Sequence, residues 1–200
     1  MSWQAVLSVL GVLVATFSAV LYIRTILSGE SKPHRVTWGG WTLVGVLGLI
    51  SSAKGGAGIG LIVALSFVFG VAIIFCLSLI PKYGKPGGNR LEYLAAAIAA
   101  VTLLTQLFVG YSPAVGATVA IAADLVFLWP TLKAAWVQPD TEAMHPWVIG
   151  AIAEFLGVLA LGNYSYAASA YSIYILAGNV AIILALAIRK PQQKRSKLIT

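Results

Sequence analysis

Three polar side chains stand inside long apolar runs of this chain: Asp124, Glu154 and Asn179. An ionisable group at mid-bilayer depth costs about 2.5–3.5 kcal/mol on insertion scales, so such groups default to functional candidates. Each lies near the middle of its run, with Asn179 roughly 15 Å from the end of its helix at about 1.5 Å per residue. Three groups from three helices therefore share one level. A carboxyl that is dry in one state of a carrier and wet in another can take up and release a proton, which makes Glu154 a candidate proton-coupling residue. The competing role for all three is static: hydrogen bonds between helices, made to each other or to backbone carbonyls.

Other chemistry finds little support. His34 and His145 have no second ligand at metal spacing, so no metal site is expected. Cys76 is the single cysteine and lies in an apolar run, which excludes an intramolecular disulfide. No serine, cysteine or histidine constellation suggests a hydrolase. We expect no enzyme activity and no cofactor.

The elements that position these residues follow from composition. Of 200 residues, 60% are hydrophobic and 10% charged, and the mean hydropathy is +0.92. That much apolar surface cannot hide inside one small soluble core, so the lipid bilayer is the expected solvent. Apolar segments at 3–27, 36–53, 58–80, 91–110, 113–136, 146–162 and 166–188 are each near the ~20 residues a crossing needs. The sequence predicts an all-α membrane protein with seven transmembrane helices. The first segment, without a basic leader or a small-residue cleavage site, reads as a retained helix.

Charge gives the orientation. If seven helices alternate, Arg24, Lys32, Arg35, Lys82, Lys85, Arg90, Lys133, Arg189, Lys190, Lys194, Arg195 and Lys197 fall on one side and Lys54 on the other. The N-terminus is expected outside and the C-terminus in the cytoplasm, with the plasma (inner) membrane as location. The net charge of +7 is then a matter of topology, and no nucleic-acid partner is expected.

The chain also repeats itself. At an offset of 109 (147 − 38), Trp38 falls on Trp147, Arg24 on Lys133, Leu47-Gly48 on Leu156-Gly157, and residues 71–74 on residues 180–183. Three helices is an odd number, so a second copy needs a linker helix to keep its orientation. The predicted organisation is a three-helix bundle over 1–84, a linker helix within 85–111, a second bundle over 112–189 and a basic cytoplasmic tail over 190–200. Asn89 and Glu92 read as a capping box at the linker's start. Helices 2 and 6 are predicted to be the shortest. Both carry glycines, the pattern that marks a substrate path in repeated transporters.

The end of the fifth segment, Leu128-Trp129-Pro130-Thr131-Leu132-Lys133, followed by a polar loop and Pro146-Trp147, resembles the PQ-loop superfamily. This group includes SWEET-type sugar porters, lysosomal cystine and cationic amino-acid exporters, and KDEL receptors. The family's Pro-Gln pair appears as Pro130-Thr131, and Leu21-Tyr22 occupies the equivalent place in the first half. The resemblance implies two parallel three-helix bundles joined by a linker (3+1+3, SWEET-like). It also implies alternating access, with Asn179 as a substrate contact and Glu154 as a proton site. Asp124, at the same level, joins Asn179 as a candidate for substrate binding. The repeat partners of Asp124, Glu154 and Asn179 are Ala15, Gly45 and Gly70, small residues that leave room for a ligand.

Pro130 lacks an amide hydrogen and is a candidate hinge. Trp38 and Trp147 are candidates for a cytoplasmic gate, with interfacial anchoring as the alternative. The expected function is transport of a small polar solute such as a sugar or amino acid, with protons as candidate coupling ions. The rival is a receptor or scaffold of the KDEL-receptor kind that binds a peptide or partner without net transport. A homo-oligomer is compatible with either.

Overall fold

A computed structural model of the chain describes residues 2–197. It contains seven α-helices: α1 (Trp3–Leu27), α2 (Arg35–Lys54), α3 (Leu61–Leu79), α4 (Arg90–Phe108), α5 (Pro113–Val137), α6 (Met144–Leu159) and α7 (Tyr166–Lys197). Short 3₁₀ turns cover Gly58–Gly60 and Pro139–Thr141. Six of the helices are long and apolar enough to cross a membrane. Their outer surfaces carry large exposed apolar side chains such as Leu13, Phe17, Phe69, Val101, Leu104 and Trp129. Asp124, Glu154 and Asn179 are buried instead. This apolar exterior with polar groups within is the arrangement of an integral membrane protein, whose helices satisfy their own backbone groups in lipid.

Local sequence explains the helix starts. The Ser2 hydroxyl accepts from the Ala5 amide at 3.3 Å. At the head of α4, Asn89 Oδ1 accepts from the Glu92 amide at 3.0 Å and Glu92 Oε2 from the Asn89 amide at 2.9 Å, a complete capping box. Pro113 opens α5, where a missing amide hydrogen is harmless.

The helix limits correct the sequence reading in three places. Helix 3 is preceded by a 3₁₀ turn, so α3 itself has 19 residues, as does α4; α2, with 20, is not among the shortest. The α6 helix, with 16 residues, is the shortest, as expected, but it stops at Leu159 and not at 162. It ends early because the chain beyond it pairs with the turn after α2: the Gly162 amide donates to Ala57 O at 2.9 Å and Asn163 Nδ2 to Gly55 O at 2.9 Å. The third correction concerns α7, which runs past Ile188 to Lys197, so helix continues into the segment read as a tail. The side chains of Lys194, Arg195 and Lys197 lie outside the described residues.

Loops gather at two ends. At one, the Lys85 amide donates to Pro33 O at 3.0 Å and the Arg35 amide to Lys85 O at 3.2 Å. There too, Lys190 Nζ donates to Glu142 O at 2.7 Å. At the other end the 55–60 turn meets the start of α7, and Lys54 Nζ donates to Gln106 O at 2.9 Å. Helix α6, though short, reaches from the first end to the second. The first is the basic end, holding Arg24, Lys32, Arg35, Lys82, Lys85, Arg90, Lys133, Arg189 and Lys190, whereas Lys54 lies at the other.

Helix pairing is regular. α1 packs on α3 and α6, α5 on α7 and α2, α2 on α3, and α6 on α7; the cross-pairs α2 with α7 and α3 with α6 complete the core. α4 lies against α2 and α5.

Candidate functional site

Six helices enclose a cavity of about 160 Å³, and α4 contributes nothing to its wall. Asp124, Glu154 and Asn179 all line it, as do Trp38 and Trp147. Pro130 does not; it is half-buried in the continuous α5 helix. The positions that the 109-residue offset pairs also meet here: Ala15 with Asp124, Gly45 with Glu154, Gly70 with Asn179, and Trp38 with Trp147 face the same space.

Each polar group has partners of its own. Tyr171 Oη donates to Asp124 Oδ2 at 2.9 Å and Tyr174 Oη to Oδ1 at 3.1 Å, so each carboxylate oxygen accepts one hydroxyl. The two tyrosines stand three residues apart on α7 and therefore on one face, their ring centroids 6.2 Å apart. The Trp41 indole lies beside the same carboxyl, and Ser172 lies beside Glu154. Asn179 Nδ2 donates to Ile175 O at 3.1 Å. Its Oδ1 is turned toward Gly150, where an added Cβ would come within 3.8 Å.

Towards the basic end, four aromatic rings form a closed circuit. Successive ring centroids are 5.0 Å apart for Tyr22 and Trp38, 5.1 Å for Trp38 and Trp41, 6.3 Å for Trp41 and Trp147, and 6.4 Å for Trp147 and Tyr22. Three of the four contacts are edge to face, at interplanar angles of 72–81°. Edge-to-face contact is a favoured geometry for aromatic quadrupoles. Trp38 and Trp41 come from one face of α2, Tyr22 from α1 and Trp147 from α6. Ser18 Oγ, donating to Pro146 O at 2.8 Å, ties α1 to the start of α6 beside this circuit.

Beyond the circuit lies Glu142, in the loop between α5 and α6. Burial pushes its carboxyl up to about 7, against the opposing influence of the Trp147 indole and of the positive charges of Lys85 and Lys190. Trp147 Nε1 and Glu142 Oε2 are both buried and fall short of hydrogen-bond geometry, so their attraction is through space. This loop carboxyl thus feels charge from both sides of α4: Lys85 precedes that helix and Lys190 follows it.

Sequence reasoning missed Tyr171, Tyr174, Trp41 and Glu142. Two signals were present. Tyr171 and Tyr174 share the face of α7 that leads to Asn179, and Trp41 follows Trp38 by one helical turn. For Glu142 there was no signal, because a loop carboxylate is buried only by what folds over it.

Compared with known proteins, the chain matches no family model, no curated protein and no solved structure.

Proposed function

We propose that the protein is a membrane transporter of a small polar solute that works by alternating access, built as two parallel three-helix bundles joined by α4. The observation that carries this reading is that repeat-equivalent positions line one central cavity. Helix pairing supports it. Exchanging α1 with α5, α2 with α6 and α3 with α7 turns the α1–α6 contact into α5–α2, α1–α3 into α5–α7, α2–α3 into α6–α7 and α2–α7 into α6–α3. α4 alone has no counterpart. A twofold scaffold around a midplane site is the design of carriers whose halves rock against each other. This symmetry, with the Pro130-Thr131 segment, favours membership of the PQ-loop group and a SWEET-like 3+1+3 plan.

In this reading Asp124 and Asn179 contact the solute and Glu154 carries the proton. The Tyr22, Trp38, Trp41 and Trp147 circuit closes the cytoplasmic mouth, and Pro130 sets a flexible point in α5. The basic end faces the cytoplasm of the plasma (inner) membrane, with the N-terminus outside. Labelling of Lys54→Cys from outside and of Lys85→Cys from inside tests the orientation.

Purified protein in liposomes should take up one solute from a panel of sugars, amino acids, amines and vitamins, with a pH gradient altering accumulation. Glu154→Gln keeps size and hydrogen bonding but fixes the neutral state. It should abolish gradient-driven accumulation while sparing exchange at equal pH. Unchanged gradient-driven uptake in this variant leaves Glu154 as a structural group. Tight binding of a peptide without any uptake would instead establish the receptor reading.

A further inference from the structure

Resting on the transporter reading, we infer that the solute is a small organic cation, an ammonium compound without a carboxylate, seated between Asp124 and the aromatic circuit. The cavity has two chemically distinct walls. α5 and α6 supply the carboxyls of Asp124 and Glu154, whereas α1 and α2 supply Tyr22, Trp38 and Trp41, with Trp147 closing the ring. Among the described residues no lysine, arginine or histidine lines it. An anionic solute, or the carboxylate of an amino acid, would thus be brought beside two acids with no positive partner in the lining. That is a desolvation without compensation. A sugar meets the opposite lack: its many hydroxyls need a dense set of polar partners, and most of this lining is apolar.

A cation finds both of its attractive environments here. The Asp124 carboxyl is held in a fixed direction by two tyrosine hydroxyls at 2.9 and 3.1 Å. Trp41 stands beside that carboxyl and is also a member of the ring circuit, so the charged and aromatic parts adjoin. A cation seated against these rings would lie within the roughly 6 Å at which an aromatic face attracts it. Aromatic faces are a known way of surrounding a quaternary ammonium, and all four of these rings line the cavity. Size agrees as well. The volume of about 160 Å³ is close to the roughly 150 Å³ of an engineered apolar cavity that accepts benzene. The fitting solute therefore has on the order of six to ten non-hydrogen atoms.

The test compares three molecules of nearly one shape on the full chain: choline, its neutral isostere 3,3-dimethylbutan-1-ol, and glycine betaine, which adds a carboxylate. Binding to detergent-purified protein is read by tryptophan emission, because three of the four rings in the circuit are indoles, and by calorimetry; ethanolamine and tetramethylammonium extend the cation set. The expected result is at least about tenfold tighter binding of a cation than of the isostere, with betaine weaker than choline. Asp124→Asn should weaken cation binding tenfold or more, and Trp41→Leu about three- to thirtyfold, with little effect on the isostere. The comparison on the unaltered protein needs no variant, so a misfolded Asp124→Asn chain does not protect the idea. Equal binding of choline and the isostere, or no binding of any of the three cations, overturns the cation seat. Uptake separates the two readings: cation binding without uptake refutes transport and keeps the seat, and uptake of a sugar with no cation binding does the reverse.

Discussion

At three matched depths α1, α2 and α3 present Ala15, Gly45 and Gly70 to the cavity, and α5, α6 and α7 present Asp124, Glu154 and Asn179. Near the basic end the balance reverses: Tyr22, Trp38 and Trp41 come from the earlier helices and Trp147 alone from the later ones. The same pairing of helices carries two kinds of wall. Packing needs shape and small residues at matched places, so it is alike on both sides of α4. A binding site needs unlike groups facing each other across a gap, so the side chains at those places differ.

The sharpest way to break that comparison is at a matched glycine pair. Gly48 and Gly157 correspond under the offset, but an added Cβ on Gly48 would overlap the Tyr171 ring, whereas on Gly157 it would meet Val63 at 3.0 Å. Overfilling of this kind typically costs about 1–3 kcal/mol, and Gly48→Ala should reach the upper end because a ring that bonds Asp124 has nowhere to retreat. Thermal unfolding in detergent, with Gly157→Ala as the milder partner, measures it. Equal melting temperatures for the two variants would mean that Tyr171 is not fixed where the hydrogen bond to Asp124 puts it.

Glu142 gives the next effect, through pH. Burial holds its carboxyl near 7, and the transporter reading makes this the closed state of the mouth. Opening would hydrate the group and return it toward an ordinary value near 4.3. The closed state then binds the extra proton between these values, so raising pH from about 5 to about 7 favours opening, and above that the effect levels off. With Cys76 replaced by alanine and Met144→Cys introduced, the thiol labelling rate from the basic side, divided at each pH by that of a free thiol to remove the thiolate's own titration, should rise over that range, on the order of a hundredfold at most. Adding Glu142→Gln should flatten the profile. A profile unchanged by that substitution places the pH-sensing group elsewhere.

A smaller effect is expected at the second hydroxyl on Asp124. Tyr174 is half-buried and Tyr171 is buried. Loss of the Tyr174 hydroxyl lets water take its place more readily, so Tyr174→Phe should cost about 1 kcal/mol and Tyr171→Phe about 2 in thermal unfolding. Reversal of that order would show that the outer tyrosine is the one that fixes the carboxyl.

How much of this was legible beforehand follows physical lines. Hydropathy and the lysine and arginine pattern gave seven helices, because lipid leaves the backbone few choices. Asn89 and Glu92 showed their role in four residues, because a capping box is local. The early end of α6 was hidden, since it depends on Asn163 reaching the backbone of Gly55, 108 positions away. Asp124, Glu154 and Asn179 stood out as polar letters in apolar text. Tyr171, Tyr174 and Trp41 did not, because aromatic residues are at home in membrane helices and only the fold turns them toward a carboxyl.

The smallest structural effect belongs to Gly150, and it separates scaffold from site. Its repeat partner is Trp41, so a position that carries a large ring on one side of the cavity carries no side chain on the other. An added Cβ would stand 3.6 Å from Ser18 Oγ, 3.7 Å from Phe67 Cε1 and 3.8 Å from Asn179 Oδ1, all ordinary contacts. Gly150→Ala should therefore fold without strain, and removing a glycine from a helix interior should raise stability by up to about 1 kcal/mol. Yet the methyl group projects into the cavity, the space that a solute would fill in the transporter reading. A well-folded, slightly stabilised variant with weakened solute binding is the expected outcome, measured by melting and by uptake side by side. If stability and uptake both stay at the parent's level or above, the solute does not use the region between Gly150 and Asn179, and the seat lies wholly on the Asp124 side of the cavity.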